Sequence, residues 1–497
     1  MSLGNFLPNI VLWISGFLLS LLFPTIVAAD DGIKNAIVKL YTVTNSFNYH
    51  EPWAMKGQKT LHGSGSIISQ GRILTNAHVV SDQMFLQVRR GGQAKKYTAK
   101  VEIVGHESDL AIVRVEDSTF FYDVTPLAIG ELPETRDYVS VYGFPNGGDK
   151  LSLTEGIVSR IEHTKYAHSG AYLLTGQIDA PINLGNSGGP VIKDGKIVGV
   201  AFQSLRNDTY ENIGYMVPAP VIQHFLEDIE DGIFDGTPDI GIAFQDMENP
   251  ALRERMLMNK EQTGVLVSRI YPDSPVEGIL EIGDVLLSID GEKIENDGTI
   301  EFRKGERTAF YYVMQRKQLQ SRITLRILRQ GKEQHLNIPL TKPVDFERLV
   351  PQRQYDKPAT YYIKGGLVFE PLTLNYLMDF GKNWNMVAPL DLLNFYDNGR
   401  PQPDRREVVI LVKVLADEIN IGYHEKKNVI VSLVNGKPVS TIHDLVHAFE
   451  THKGDYYVVE DNYGYKITLS RKKTEEAHAK ILQNYKISAD RSEDLQP

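Results

Sequence analysis

The 497-residue chain contains no cysteine. A disulfide framework, a thiolate zinc site and a cysteine nucleophile are therefore excluded, because each of them requires that residue. Basic residues are also in the minority, with 53 Lys and Arg against 63 Asp and Glu and a net charge of −10. Non-specific nucleic-acid binding depends on Lys and Arg that neutralise phosphates, so this balance argues against a nucleic acid as the main partner.

Charged residues are missing altogether from residues 1–29, which hold an apolar run over residues 10–27. The small residues Val27, Ala28 and Ala29 close this run in the arrangement that an export peptidase cleaves. We therefore expect a signal peptide that is cut after Ala29 and a mature chain that is exported, to the periplasm. An uncleaved membrane anchor is the alternative, since the run is almost long enough to span a bilayer.

Glycine and proline are plentiful, with 41 and 24 copies spread along the chain, and they indicate many turns. Over residues 36–221, short β-branched stretches alternate with Gly, Asn and Asp turns. Short strands at this spacing favour an all-β barrel or sandwich. A helical pattern over residues 218–232, with Ile222 and Phe225 on its apolar face, closes this first domain.

An internal repeat follows a linker rich in Gly and Asp. Residues 264–294 are echoed by residues 408–439. Each copy has a strand, a small-residue turn, a short helix, a second strand and a tight turn, which predicts two small modules. We expect four segments along the chain: a signal peptide (1–29), a β-rich domain (30–233), a first module (234–342) and a divergent second module (343–497).

Three short segments carry the residue types of a serine nucleophile and its activating pair. ILTNAHVV places His78 after a strand, SDLAIVRV places Asp109 at the start of another, and NLGNSGGPV places Ser187 in a glycine-rich loop. A serine hydroxyl needs a base to take its proton, which a neutral imidazole provides, and a carboxylate fixes the tautomer of that imidazole. The order His, Asp, Ser on an all-β chain is that of the chymotrypsin-type triad.

TNAHVV, SDLAIV and GNSGGP, followed by PDZ-like modules, resemble the HtrA/Deg family of serine proteases over nearly the whole mature chain, and MENPALRERM and EINIGY are similar to its plant-type subgroup. The resemblance implies a mainly β fold, in which a chymotrypsin-like double β-barrel protease domain precedes two PDZ-like α+β domains. It also implies an ATP-independent endopeptidase that degrades unfolded or damaged proteins in envelope quality control. Such proteins use no cofactor or metal and assemble as trimers or multiples of trimers.

By this resemblance, His78 is the general base, Asp109 its orienting carboxylate and Ser187 the nucleophile. Backbone amides around the serine would bind the oxyanion, namely those of Gly185, Asn186 and Ser187. The strand after this loop would form the wall of an apolar substrate pocket, through Val200, Ala201, Phe202 and Gln203. A loop of the first PDZ-like module would hold the carboxylate of a peptide, at Ile240, Gly241 and Ile242.

Other histidines have plainer interpretations. His443 and His447 share a helix face, as paired metal ligands do, but no Glu stands in the HExxH position and no third ligand is evident. We expect both to border the core that the apolar stripe of their helix forms. His62, beside the small residues 63–66, and His106 are interpreted as residues of surface turns.

Two questions stay open from the sequence. The GGLVF segment of the second module, residues 365–369, matches the pattern of a carboxylate-binding loop, yet the module could instead only pack against the protease. The whole chain could be an active protease, or mainly a holding chaperone or scaffold with a latent triad. The presence of every triad residue favours the enzyme, and residues 147–154 and 204–214 are the loops expected to rearrange on activation.

Overall fold

The computed structural model describes residues 32–145, 148–207, 210–344 and 348–496, and the side chains of residues 203–212 are outside this description. The predicted signal peptide and its cleavage position after Ala29 lie outside the described residues. The same holds for residue 147 in the first of the loops expected to rearrange on activation, and for residues 208 and 209 in the second.

Six antiparallel strands close into a first barrel in the order β1-β2-β3-β6-β5-β4. They are β1 (Ile37–Thr44), β2 (Lys59–Ile68), β3 (Arg72–Thr75), β4 (Gln83–Arg90), β5 (Tyr97–Gly105) and β6 (Leu110–Val115). A short helix, α1 (Ala77–Val80), follows β3 directly. Strand β6 is buried at every position except Arg114, as its β-branched, apolar sequence requires.

A second closed barrel has the order β10-β11-β12-β9-β8-β7. Its strands are β7 (Tyr138–Gly143), β8 (Ser152–Lys165), β9 (Tyr172–Ile178), β10 (Pro190–Lys193), β11 (Lys196–Asn207) and β12 (Tyr210–Pro218). Helix α2 (Ala219–Asp228) follows and buries Ile222 and Phe225, the apolar face expected from the sequence.

The first module joins short strands and two helices. Its strands are β13 (Pro238–Asp239), β14 (Ile242–Asp246), β15 (Val265–Ile270), β16 (Val285–Ile289), β17 (Glu292–Lys293), β18 (Thr299–Arg303), β19 (Glu306–Ala309), β20 (Arg322–Arg329), β21 (Lys332–Pro339) and β22 (Lys342–Pro343), and its helices are α3 (Pro250–Arg255) and α4 (Tyr312–Gln315). The main sheet has the order β14-β15-β16-β20-β21. Its apolar core is continuous with that of the second barrel, so the module is packed onto the barrel.

The second module repeats this plan with additional helices. Its strands are β23 (Tyr362–Lys364), β24 (Leu367–Pro371), β25 (Val409–Val414), β26 (Val429–Val434), β27 (Lys437–Pro438), β28 (Tyr456–Asp461) and β29 (Lys466–Ser470). The helices are α5 (Leu374–Met378), α6 (Trp384–Val387), α7 (Leu390–Asn398), α8 (Ile442–Glu450) and α9 (Arg471–Asn484). The sheet order is β23-β24-β25-β26-β28-β29. The predicted fold class, a mainly β double barrel followed by two α+β modules, is confirmed.

The interpretation of His62 as a residue of a surface turn was wrong. His62 and residues 63–66 lie inside β2, where Gly63 pairs with Leu40 of β1. A Cβ at Gly63 would come within 2.4 Å of the Val79 side chain. The small residues therefore reflect the close packing of α1 on this strand, and α1 is the helix that carries His78.

Candidate active site

His78 lies on α1, whose other side chains anchor it to the first barrel. Ala77, Val79 and Val80 are buried, so the helix is fixed by its apolar face. The His78 side chain keeps 31% of its surface exposed. It is therefore held rigidly at its base and open to the cleft at its tip.

Asp109 lies in the turn that opens β6, with a positive φ of 52° and a side chain that is almost fully buried. The Nδ1–H of His78 donates to Asp109 Oδ2 over 2.7 Å, and the backbone N–H of His78 donates to Asp109 Oδ1 over 2.9 Å. The side-chain amide of Asn76 donates to the Asp109 carbonyl over 2.8 Å. The proton on Nδ1 leaves Nε2 of His78 as a lone-pair base.

The electrostatics of this pair follow from burial and mutual attraction. Desolvation opposes protonation of His78, but the charge and hydrogen bond of Asp109 outweigh it and raise the pKa of His78 above its ordinary value. Desolvation likewise opposes ionisation of Asp109, yet the charge of His78 and the hydrogen bonds from its ring and backbone lower the pKa of Asp109. The pair thus stabilises a positive imidazole, the state that a general base reaches after it accepts a proton.

Ser187 lies in the loop before β10, between glycines in the left-handed region: Gly185 has φ +98° and Gly188 has φ +84°. At Gly188 a Cβ would come within 2.1 Å of the Ser64 carbonyl oxygen and 2.2 Å of Thr75 Oγ1. Only glycine fits there, because both the backbone conformation and the space exclude a side chain. The loop consequently approaches strands β2 and β3 of the first barrel very closely.

Ser64 of β2 attaches this loop to the first barrel, a role that was not evident from the sequence. Its backbone N–H donates to the Ser187 carbonyl over 2.8 Å, and its hydroxyl donates to the Gly185 carbonyl over 2.8 Å. The same hydroxyl accepts from the backbone N–H of Phe144 over 2.8 Å. The alternation of Gly and Ser in residues 63–66 is the signal that points to such a close approach.

The amides proposed for the oxyanion are not equivalent. The N–H of Asn186 donates to the Asn183 carbonyl over 2.9 Å, so it is engaged within the loop, and this corrects its expected role as an oxyanion donor. Within the described part of the chain, the N–H groups of Gly185 and Ser187 have no acceptor. These two amides remain for the oxyanion.

Strand β11 runs beside the serine loop, as the pocket prediction requires. The Gly188 N–H donates to the Ala201 carbonyl, and the Ala201 N–H donates to the Gly189 carbonyl, both over 2.9 Å. Val200 and Ala201 are fully buried, and the Phe202 ring packs 4.7 Å from the Tyr166 ring. The side chain of Gln203 lies outside the description. The wall formed by these four residues stays a prediction.

The two PDZ-like modules differ at the strand edge to which a peptide would add. In the first module β14 pairs with β15, and no described strand covers its other edge. Ile240, Gly241 and Ile242 lead into β14, and the Gly241 N–H donates to the Asp239 carboxylate over 2.5 Å. The predicted carboxylate loop thus already binds a carboxylate of its own chain.

In the second module the equivalent edge is covered. Gly365 and Gly366 form the turn that folds β23 back onto β24, with Tyr362 opposite Phe369. The Ile363 N–H on the far side of β23 donates to the Asp490 carbonyl over 2.7 Å. Of the two open interpretations, this arrangement favours a module that packs rather than one that captures a peptide by strand addition.

The remaining histidines form no metal site among the described residues, and no described helix could span a membrane. His443 and His447 lie on α8, whose buried face holds Ile442, Leu445 and Phe449, the predicted stripe. No cluster of three or more metal-ligating side chains occurs in the described residues. Among the helices of those residues, none has the length and apolar character needed to cross a bilayer.

Two six-stranded barrels, a histidine paired with a buried aspartate and a glycine-bounded serine define a trypsin-like serine peptidase that carries two PDZ modules. Family models agree: a trypsin-like peptidase domain matches residues 63–200, and PDZ domains match residues 238–340 and 350–494. The chain is 40% identical to Protease Do-like 4, mitochondrial, of Arabidopsis thaliana, over 94% of this chain and 86% of that protein. It is 39% identical to Protease Do-like 2, chloroplastic, of the same plant, over 94% and 76%.

A solved structure shows the same fold: the HtrA-type protease AlgW with tripeptide superimposes with a TM-score of 0.51 at 23% identity, over 64% of this chain and 98% of that one. The chain belongs to the HtrA/Deg family of serine proteases, and it is a serine endopeptidase of that type. The two Arabidopsis relatives are named for the mitochondrion and the chloroplast, so the comparisons lend no support to the periplasm as its compartment.

Proposed function

We propose that this protein is an ATP-independent endopeptidase that cleaves unfolded or damaged proteins through a Ser187–His78–Asp109 triad, and that it acts outside the cytosol as a trimer or a multiple of trimers. The observation that carries the proposal is the His78–Asp109 pair, which is joined at both the ring and the backbone. The Ser64 contacts to the serine loop support it, because they attach the nucleophile to the barrel that holds the base.

In the proposed reaction, each catalytic group acts once in acylation and once in deacylation. Nε2 of His78 takes the hydroxyl proton as Ser187 Oγ attacks the substrate carbonyl, and the oxyanion forms against the amides of Gly185 and Ser187. The imidazolium then protonates the leaving amine, the C–N bond breaks, and an acyl-enzyme ester remains. His78 then takes a proton from water as the water attacks the ester carbonyl, and the imidazolium gives that proton to Ser187 Oγ as the C–O bond breaks and the acid product leaves. No nucleotide or metal enters the balance.

Unfolded chains fit this site as substrates because they offer extended backbone. The uncovered edge of β14 accepts a further strand, which any unfolded segment can supply without a fixed sequence. Capture at β14 would raise the local concentration of substrate near the triad.

The test compares the full chain with Ser187→Ala on β-casein, without nucleotide. We expect fragments from the unsubstituted protein, none from the variant, and labelling of Ser187 alone by a fluorophosphonate. Equal digestion by the two proteins would overturn the triad. If neither digests casein while both suppress aggregation of an unfolded protein, the holding-chaperone function replaces the proposal.

A further inference from the structure

A segment at the start of the second PDZ-like module, before its first strand, lies against the protease domain beside the catalytic pair. We call residues 352–356 the strap. The Tyr355 ring stacks on the His168 ring at 3.9 Å and on the His106 ring at 4.7 Å, with interplanar angles of 22° and 21°. The Tyr355 hydroxyl donates to the His168 carbonyl over 2.8 Å. One aromatic side chain of the strap therefore holds two histidines of the protease domain.

Asp356 adds polar contacts to the same region. Its backbone N–H donates to Asp82 Oδ1 over 2.9 Å, and its own Oδ1 accepts from the Asp82 N–H over 2.6 Å. Its Oδ2 lies 3.1 Å from His106 Nε2, which donates to it. With that proton on Nε2, Nδ1 of His106 accepts from His168 Nε2 over 3.0 Å. A hydrogen-bonded chain thus runs from the strap to His168.

These contacts reach every segment that carries the acid–base pair. The His168 ring lies 6.1 Å from the His78 ring. Asp82 follows α1, the helix of His78, by two residues. The backbone N–H of Asp109 donates to the His106 carbonyl over 3.2 Å. The strap is consequently bound to the segments before Asp109 and after His78, and to a ring beside His78.

Burial beside the Tyr355 ring keeps His168 uncharged. Desolvation lowers the pKa of His168 to about 3 and raises the pKa of Tyr355 to about 12. A neutral His168 does not repel the imidazolium that forms on His78 during catalysis, whereas a charged ring at this distance would oppose it.

We propose that Tyr355 and Asp356 are positioning residues for the His78–Asp109 pair, so that the second PDZ-like module completes the active site through the strap. The inference rests on the proposed triad. The strap belongs to the second module, so displacement of that module would lower the rate of catalysis rather than the affinity for substrate.

The experiment measures kcat and KM of the full chain on a short fluorogenic peptide, together with the rate of fluorophosphonate labelling at Ser187. We expect Tyr355→Ala to lower both rates about 10- to 100-fold, with KM nearly unchanged, because a small displacement of catalytic groups costs that much. Tyr355→Phe keeps the stacked ring and should restore most of the rate. Tyr138→Ala, an exposed tyrosine of β7, is the matched control and should change neither rate.

An increased or unchanged rate in Tyr355→Ala would overturn the proposal, an increase showing that the strap blocks the site. If that variant does not fold, Asp356→Ala leaves the ring stack in place and should still lower kcat. A readout independent of activity is the low-field proton resonance of His78 Nδ1 in the Ser187→Ala background. Tyr355→Ala should shift or broaden this resonance even if the unsubstituted protein digests no substrate, and an unaltered resonance would refute the positioning role.

Discussion

The carboxylate of Asp109 binds His78 at two points, accepting from the ring Nδ1–H over 2.7 Å and from the backbone N–H over 2.9 Å. Both oxygens are thus used by a single residue. The orientation of the imidazole and the position of α1 therefore depend on the same buried side chain.

Asp109→Asn should leave the fold intact and lower kcat by about 10⁴, because an amide favours the wrong tautomer of His78. The carboxylate raises the pKa of His78, so activity in the unsubstituted protein should appear only as the pH rises through that raised value. In the variant, the acid limb should move to lower pH. The measurement is a pH profile of kcat/KM on a short peptide. Asp194→Asn, an exposed carboxylate in the turn after β10, should change neither quantity.

Ser64→Ala tests the attachment of the serine loop. The substitution leaves the Gly185 carbonyl and the Phe144 N–H without their partner, which should cost about 1–3 kcal/mol of the free energy of unfolding and lower kcat. Ser66, two residues further along β2, is equally buried, and its hydroxyl has no partner among the described residues. Ser66→Ala is therefore the matched control and should be nearly neutral. Urea unfolding and peptide hydrolysis are measured for both variants. Equal losses of stability and activity in Ser64→Ala and Ser66→Ala would contradict the role of the Ser64 hydroxyl in attaching the serine loop.

Gly188→Ala should abolish activity, because its Cβ would collide with the Ser64 carbonyl and with Thr75 Oγ1. Gly195, in the turn between β10 and β11, has a similar φ of +75°, but a Cβ there meets nothing within 4 Å. Gly195→Ala should cost only the left-handed conformation, about 1–2 kcal/mol, and keep the activity. Unfolding measurements and fluorophosphonate labelling of the two variants distinguish the steric collision at Gly188 from the conformational cost at Gly195. This account would be contradicted if both variants were inactive or if both remained active.

The sequence predicted those parts of the site that depend on neighbouring residues, but it did not predict contacts between segments that are far apart in the chain. His78, Asp109 and Ser187 could be proposed from the sequence because each lies in a short segment whose strand or loop context is readable from nearby residues. Ser64 was missed because its role depends on pairing with a loop more than a hundred positions away. The stacking of Tyr355 on His168 was missed for the same reason.

The two modules show a second limit of the sequence. Their repeat predicted the same plan for both, and that plan is present. Whether a strand edge is open depends on where a flanking segment folds, which the repeat itself does not encode. The Gly365–Gly366 turn places β23 on the edge of β24, whereas β13 pairs with β22 and leaves β14 uncovered.

Glu370 of β24 should make stability depend on pH in an unusual direction. Burial, and then the charge of Asp379, raise the pKa of Glu370 well above its ordinary value, and its Oε1 has no partner among the described residues. The folded state keeps a proton that the unfolded chain releases above about pH 4.5, so this residue lowers stability as the pH rises beyond that point. Glu370→Gln has no titratable proton at this position. Its Tm should therefore increase relative to that of the unsubstituted protein as the pH rises from 4 to 8.

Glu475 is the matched control for Glu370, because its pKa is shifted in the opposite direction. Desolvation opposes ionisation of Glu475, but hydrogen bonds from Tyr457 and Lys364 outweigh it and lower the pKa of Glu475. This residue therefore contributes stability above the unfolded pKa that is lost as the pH falls through the folded one. Glu475→Gln should therefore have a lower Tm than the unsubstituted protein by a nearly constant amount above about pH 5, and this deficit should shrink as the pH falls below about 4.5. A Glu370→Gln curve that runs parallel to that of the unsubstituted protein between pH 4 and pH 8 would contradict the buried, protonated state of Glu370.

Peptide addition should occur on the first module alone. Amide hydrogen exchange on full-length Ser187→Ala, with an unstructured peptide that ends in an apolar residue and a free carboxylate, should show new protection over residues 240–246. Residues 362–371 should not change, because β24 already has a strand on each side and β23 is held by the C-terminal segment. The same peptide with an amidated end is the control and should protect less, since it lacks the carboxylate that would replace Asp239 at the Gly241 N–H. Protection at β24 would show that β23 opens and that the second module also captures peptides.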